Sequence, residues 1–280
     1  MQLNPDQLDA ARTALLSSSS DDLIDVMFRL NRQMPLRTDP SPATKLGWID
    51  EPPLGWLVAD SIREYRLWLD RDKRIHAELD YDLLSTERYS GKAVLEPGSG
   101  FGCNLLSLSR VPGRFVGLEP VAVYRQLTSI FAEREGLPTP EVIDGKCETL
   151  PFSKEQFDIV LVYSAHQYMD IRQALREMAR VLRPGGQVQI IGGTLDAYLL
   201  TNPAPRRLGQ LRDFIMTVGN TISYELTGHR AVTRAGATGT PIYPRHQYMN
   251  RWMNEAGLTV REDLCRQFNN MACFVADKST

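Results

Sequence analysis

VLEPGSGFGCN, residues 94–104, is an apolar run that ends in an acid and continues with a glycine at every second position. Glycines at that spacing let a chain turn sharply from strand to helix and let a ligand lie against the main chain. The dinucleotide fingerprint GxGxxG needs its third glycine so that helix and strand pack closely. Here Gly98, Gly100 and Gly102 spell GxGxG and position 103 is Cys, so the fingerprint fails by one residue. A phosphate-binding loop fails more plainly, because no Gly-Lys-Ser/Thr follows.

Outward from this stretch the chain alternates. AVLEPG (93–98), RFVGLEP (114–120), PEVIDG (140–145), FDIVLVYS (157–164) and QVQIIGGT (187–194) read as buried strands. Helices are expected over 104–109, 124–134 and 171–182, the last closed by the turn RPGG (183–186). Strands alternating with helices predict a parallel sheet covered on both faces, with ligands outside the C-terminal strand ends. RHQYMNRWMNEAG (245–257) reads as a last helix, and LTVREDL (258–264) and MACFVAD (271–277) as two strands in succession, an antiparallel finish. Residues 1–90 read as a helical prefix or cap, with helices over 21–30 and about 57–80 joined by a proline-rich connector (34–56). Residues 91–195 are the expected core. Residues 196–244 interrupt the alternation and read as a lid or substrate-recognition insertion, and 245–280 complete the core sheet.

Composition narrows the class. Over 280 residues, 32 Lys and Arg stand against 34 Asp and Glu, a net charge of −2 that offers no basic field for nucleic acid. Cys103, Cys147, Cys265 and Cys273 form no CxxC pair and have no metal-ligand spacing, so no metal is expected. No apolar run has the length of a membrane span, and the first residues lack the pattern of a signal peptide. A cytoplasmic protein is expected, with a small-molecule partner, no nucleic acid and no membrane; a homodimer is left open.

Four elements, in this order, resemble the class I S-adenosylmethionine-dependent methyltransferases, within the small-molecule group that shares an LPF segment and an LRPGG turn. They are VLEPGSGFG, the acid Glu119 ending VGLEP, CETLPF ahead of FDIV, and ALREMARVLRPGG. The likeness covers about residues 92–194. It implies an α/β, Rossmann-like doubly wound fold. The sheet would be seven-stranded and mostly parallel with an antiparallel last strand, with the helical prefix and a helical insertion after strand five. The implied cofactor is S-adenosyl-L-methionine. Gly98 and Gly100 leave room for its aminoacyl and ribose portions. Glu96 is placed to accept from an ammonium, or to cap the next helix. Glu119 lies at a strand end, where one carboxylate can accept from both ribose hydroxyls. Ser99, Gly102, Asn104 and Pro120 are carried over with them, as are Cys147, Glu148 and Tyr163. Relatives often read GDAExLPF where this chain has GKCETLPF, so Lys146 stands where an Asp would hold the adenine amino group. The backbone of Cys147 and Glu148, or Asp144, is then the expected contact.

VYSAHQYMD (162–170) follows strand four, the place to seek groups that act on the acceptor. His166 is the first candidate general base, since imidazole titrates near neutrality; a histidine that caps the loop is the other reading. Tyr163 could orient the acceptor. Trp48, Trp56, Tyr168, Tyr198, Phe214, His229 and His246 are candidate walls of an acceptor pocket. Two other readings share the strand–glycine–helix–acid plan: a nicotinamide-dependent oxidoreductase, and a non-catalytic protein that binds S-adenosylmethionine.

Overall fold

The computed structural model describes residues 2–33, 54–75, 86–201, 208–231, 241–268 and 271–280. They fall into two compact units, one running to residue 145 and the other from 146 onward. Most of the proline-rich connector, Trp48 included, lies outside the described residues.

In the first unit, α1 (Pro5–Ser17) begins with a capping box: Asn4 accepts from the Gln7 N–H at 2.9 Å, and the Gln7 side chain accepts from the Asn4 N–H at 3.0 Å. The NPDQ run carries that signal, yet no helix was expected there. α2 (Leu23–Gln33) buries Leu23, Val26 and Leu30, the helical spacing seen in the sequence. α3 (Leu54–Ile75) starts three residues earlier than expected, and the residues after 75 lie outside the description. It buries Leu57, Val58, Ile62, Tyr65 and Trp68.

Strand β1 (Ala93–Pro97) leads into α4 (Cys103–Leu108), β2 (Arg114–Leu118), α5 (Ala122–Glu135) and β3 (Glu141–Ile143). β1 and β2 are parallel with Pro97 opposite Leu118, and β2 and β3 are parallel with Leu118 opposite Ile143. The helical prefix packs on α5 and on the glycine turn. Tyr65 stacks on Phe131 at 4.6 Å, and Phe131 meets Phe101, from inside the turn, at 4.4 Å. Aromatic pairs at such distances add to the burial energy. Arg134 on α5 donates to the carbonyls of Leu15 and Ser18, completing the C-terminal end of α1.

The second unit holds β4 (Phe157–Tyr163), α6 (Ile171–Val181) and β5 (Leu182–Gly192), with β4 and β5 parallel. α7 (Leu195–Thr201), α8 (Leu208–Thr227) and α9 (His246–Glu255) follow. β6 (Leu258–Val260), β7 (Arg266–Phe268) and β8 (Met271–Lys278) close the chain. β8 runs antiparallel to β5, and β6 and β7 are antiparallel to β8. The class is therefore α/β and Rossmann-like, mostly parallel with an antiparallel finish.

Seven strands, mostly parallel with an antiparallel finish, are found as expected among the described residues, and RQF adds one short strand that pairs only with β8. One expectation needs correction. LRPGG is not a free turn: Leu182 pairs with Phe157 and Gln187 with Ile159, so residues 183–186 form a bulge within β5. Gly185, at φ 74, takes the left-handed conformation that the bulge needs. Among the described residues no helix is long and apolar enough to cross a membrane.

Candidate functional site

The glycine turn of the first unit is built by backbone conformation. Gly98, Gly100 and Gly102 have φ of 72, 59 and 83, three left-handed residues alternating with ordinary ones. Side chains there would carry a steric cost, which explains the every-second spacing. Among the described residues, a Cβ built on Gly100 meets nothing within 4 Å, so the turn presents open space to them at that point. Ser99 is buried, with its Oγ among the atoms lacking a hydrogen-bond partner in the described structure.

Glu119, just past β2, faces this turn. It is 5% exposed; its Oε2 accepts from the Gly100 N–H at 3.0 Å and its Oε1 from the Val121 N–H at 2.8 Å. Burial pushes its pKa up to about 7, against those two bonds and the nearby Arg125, which pull it down. Arg125 donates to the Glu119 carbonyl and to Asp144 Oδ1 at 2.9 Å. Asp144, the alternative adenine contact, is thereby ion-paired on the surface. Glu96, at the end of β1, is buried and accepts from the Asn104 side chain, tying the strand end to the first turn of α4. Pro120 lies between Glu119 and α5, and the Val121 N–H that follows it donates to the acid.

In the second unit, Cys147 is buried, and burial raises its thiol pKa well above the usual value, which favours the protonated thiol. The Glu148 Oε1 accepts from the Asp170 N–H at 2.7 Å, and its carbonyl from the Gln173 side chain at 3.0 Å. Tyr163 is half-buried at the end of β4. Ser164 follows with φ 52, a left-handed conformation rare for serine and often found where function holds a backbone in strain.

His166 is fully buried. Its Nε2 lies 3.0 Å from the Gly193 carbonyl, which assigns the proton to Nε2, and burial lowers its pKa to about 4. Nδ1 lacks a hydrogen-bond partner in the described structure. A Cβ on Gly192 would come within 2.6 Å of Nδ1. The ring is therefore neutral at physiological pH.

The other pocket candidates are scattered. Tyr168 is partly exposed beside Tyr243, whose phenol pKa burial raises to about 12. Tyr198 stacks on Tyr243 at 5.0 Å and pairs with Phe214 at 6.0 Å. His246 packs against Phe274 at 4.7 Å, and burial lowers its pKa. His229 is exposed near the end of α8, and Trp56 is exposed on α3.

Arg230 escaped the sequence reading. It donates to the carbonyls of Met169 at 2.9 Å and Gln167 at 3.2 Å, holding the segment that bears His166 and Tyr168. The Ile242 N–H reaches the same Gln167 carbonyl at 2.9 Å. Tyr224 donates to Asp170 Oδ1 at 2.6 Å and accepts from the Arg172 N–H. A lone arginine in an irregular stretch carries no sequence signal for such a role.

The family model described as "Methyltransferase domain" matches residues 95–190. An uncharacterized methyltransferase of Bacillus subtilis, YcgJ, is 30% identical over 151 residues, 51% of this chain and 58% of that protein. A fatty-acid O-methyltransferase of Mycolicibacterium smegmatis is 30% identical over 174 residues, 61% of this chain and 56% of that protein. The chain thus spans somewhat over half the length of these two relatives. Among solved structures, the PH0226 protein of Pyrococcus horikoshii gives a TM-score of 0.54 at 16% identity, covering 74% of this chain and 91% of that one. At that identity the likeness is one of fold.

Proposed function

We propose that this chain, whose residues 95–190 match the family model described as "Methyltransferase domain", is a class I S-adenosylmethionine-dependent methyltransferase, a working enzyme of the cytoplasm that methylates a small apolar or amphipathic acceptor. The observation that carries the reading is the Glu119 carboxylate, buried and aimed at the open face of the Gly100 turn. Each of its oxygens accepts one backbone N–H and keeps capacity for a second donor, which suits the two hydroxyls of a ribose.

The remaining unit 1 residues fit the same ligand. Gly98, Gly100 and Gly102 keep side chains off the turn, and the buried Ser99 hydroxyl awaits a polar partner. Glu96 places Asn104, and its carboxylate suits an ammonium. Pro120 shapes the approach to α5. For the adenine end we propose the backbone of Cys147 and Glu148, with Asp144 set aside because Arg125 holds it. When bound, the cofactor supplies an electrophilic methyl group on a sulfonium. The protein's part is to hold an acceptor atom in line and dry.

For His166 we favour the loop-shaping role over the general base. A neutral ring sealed from solvent, with its N–H on Gly193, is built to fix residues 164–170 rather than to exchange protons. Tyr163 and Tyr168 are then the groups proposed to meet the acceptor. Residues 196–244 are proposed as the recognition insertion, where Tyr198, Phe214 and Tyr243 make an aromatic wall; His229, His246 and Trp56 stay proposed acceptor contacts only. The relative named for fatty acids supports an acceptor with an alkyl part.

Titration calorimetry with S-adenosylhomocysteine, with NADH as control, tests the cofactor. Wild type should bind the former alone, and Glu119→Gln should weaken binding at least tenfold. Methyl transfer from labelled S-adenosylmethionine to fatty acids and small phenols then tests the acceptor. Binding of NADH alone would overturn the reading, and cofactor binding without transfer across both classes would overturn the acceptor assignment.

A further inference from the structure

Helix α8 turns an apolar stripe outward. Its buried face carries Thr217, Asn220, Thr221 and Glu225 beside the aromatic Tyr224, while the exposed face carries Leu211, Ile215, Gly219, Ile222 and Leu226. The inward polar groups are satisfied: Thr221 accepts from the Tyr243 N–H at 3.0 Å, and Glu225 holds the Arg245 guanidinium and N–H. Ile215 is 59% and Leu226 71% exposed. At 3.6 residues per turn the five outward positions fall within about 80° of arc, a continuous stripe along a helix about 30 Å long. A surface helix ordinarily turns its apolar stripe to the core. This one turns it to something else.

The spacing says what. Leu211 and Leu226 lie equally far from the midpoint between Val218 and Gly219, and so do Ile215 and Ile222. Laid antiparallel on a second copy about that midpoint, each leucine meets a leucine and each isoleucine an isoleucine, twice over. Such i-to-j reciprocity is the condition of a twofold interface. Gly219 fits the same axis. A Cβ there meets nothing within 4 Å among the described residues, so none of them calls for glycine, and a mid-helix glycine weakens the helix. At the crossing point it lets two helix backbones approach closely.

We propose that α8 is the twofold interface of a homodimer, packed antiparallel on its own copy with Gly219 at the crossing. The proposal goes beyond methyl transfer and does not depend on it. A single stripe falls short of the roughly 800 Å² per partner of a standard interface. α7, joined to α8 through the Tyr198–Phe214 ring pair, extends it with Leu199 and the 85% exposed Leu200. A lipid surface would favour a helix with Lys or Arg along its polar face. Here the described inward face is neutral apart from Glu225.

Sedimentation velocity of the full chain across a concentration series tests the pairing. Wild type should show a concentration-dependent dimer. I215E/I222E sets carboxylate against carboxylate in both reciprocal pairs and should raise the dissociation constant at least tenfold, with an unchanged circular dichroism spectrum. I215K/I222E sets Lys against Glu twice and should dimerise more tightly than I215E/I222E. Gly219→Leu should raise Tm while weakening the dimer. A wild type that stays monomeric at every concentration overturns the proposal, as does a dimer indifferent to I215E/I222E. Equal weakening by both double variants overturns the antiparallel register. A monomer that pelts down with phosphatidylglycerol vesicles, and ceases to in I215E/I222E, would assign the stripe to a membrane instead.

Discussion

The carboxylate of Glu119 sits 3.0 Å from the Gly100 N–H, joining the acid at the end of β2 to the turn that leaves β1. Two residues 19 apart in sequence are thus one device. The acid orders the turn, and the turn keeps the acid from needing water. Because burial raises the Glu119 pKa to about 7, its charge state changes within the working range. Only the carboxylate accepts from two ribose hydroxyls, so S-adenosylhomocysteine affinity should rise as pH rises through about 7. Well below that value it should fall about tenfold per pH unit. Calorimetry from pH 5.5 to about 8.5 checks this. Glu119→Gln should bind weakly with a flat profile, and a sloping profile in that variant would assign the titration to another group.

Stability should respond to two buried groups of opposite sign. Glu119 binds its proton more tightly in the fold than in the unfolded chain. Its contribution is full below about 4.5 and is lost as pH rises through about 7. His166, with a folded pKa of about 4, contributes stability above its unfolded value near 6.5 that is lost as pH falls through 4. Each contribution is on the order of 3 kcal/mol. They nearly cancel in wild type between pH 4.5 and 6.5. Urea denaturation should show Glu119→Gln losing stability on acidification and His166→Gln gaining it, relative to wild type.

Much of the first unit was legible because its signals are local. Gly98, Gly100 and Gly102 announce left-handed backbone, and Glu119 stands where a strand ends. The strand order of residue types in 93–194 follows hydrophobic runs that burial dictates. What stayed hidden depends on partners far along the chain. His166 looks titratable in sequence, and only its burial against Gly192 and Gly193 lowers its pKa to about 4. Arg230 lies 61 residues from Met169, whose carbonyl it holds. The strand RQF is three residues long and has no alternation to read, and α1 was missed although NPDQ spells its cap.

Gly192 and His166 should behave as one packing unit. A Cβ on Gly192 would lie 2.3 Å from Cε1 of a ring that is sealed on every side. Gly192→Ala should therefore cost about 1–3 kcal/mol through overpacking. His166→Ala alone leaves a cavity and an unpaired Gly193 carbonyl, at a cost of about 2–4 kcal/mol. In the double variant the methyl enters the vacated space. Its loss should be smaller than the sum by about 1 kcal/mol or more, measured as a double-mutant cycle in urea. Strict additivity would mean that the ring moves aside in Gly192→Ala.

Arg230 should govern turnover through the segment it holds. Its guanidinium bonds the Met169 and Gln167 carbonyls, while Tyr224 bonds Asp170 at 2.6 Å, so residues 167, 169 and 170 hang on the stretch between β5 and α9. Removing a charged donor from two half-buried carbonyls costs about 1.5–3 kcal/mol where water cannot replace it. Arg230→Met keeps the stem's packing and deletes those bonds, so Tm should fall by several degrees. Because Glu119 and the glycine turn are untouched, S-adenosylhomocysteine affinity should stay within about twofold. If Tyr163 and Tyr168 meet the acceptor, kcat should drop about tenfold or more while the cofactor KM holds. Arg230→Lys, a point charge without the fork, should recover part of kcat by reaching one carbonyl. Equal losses in kcat and cofactor affinity would show instead that Arg230 supports the fold as a whole.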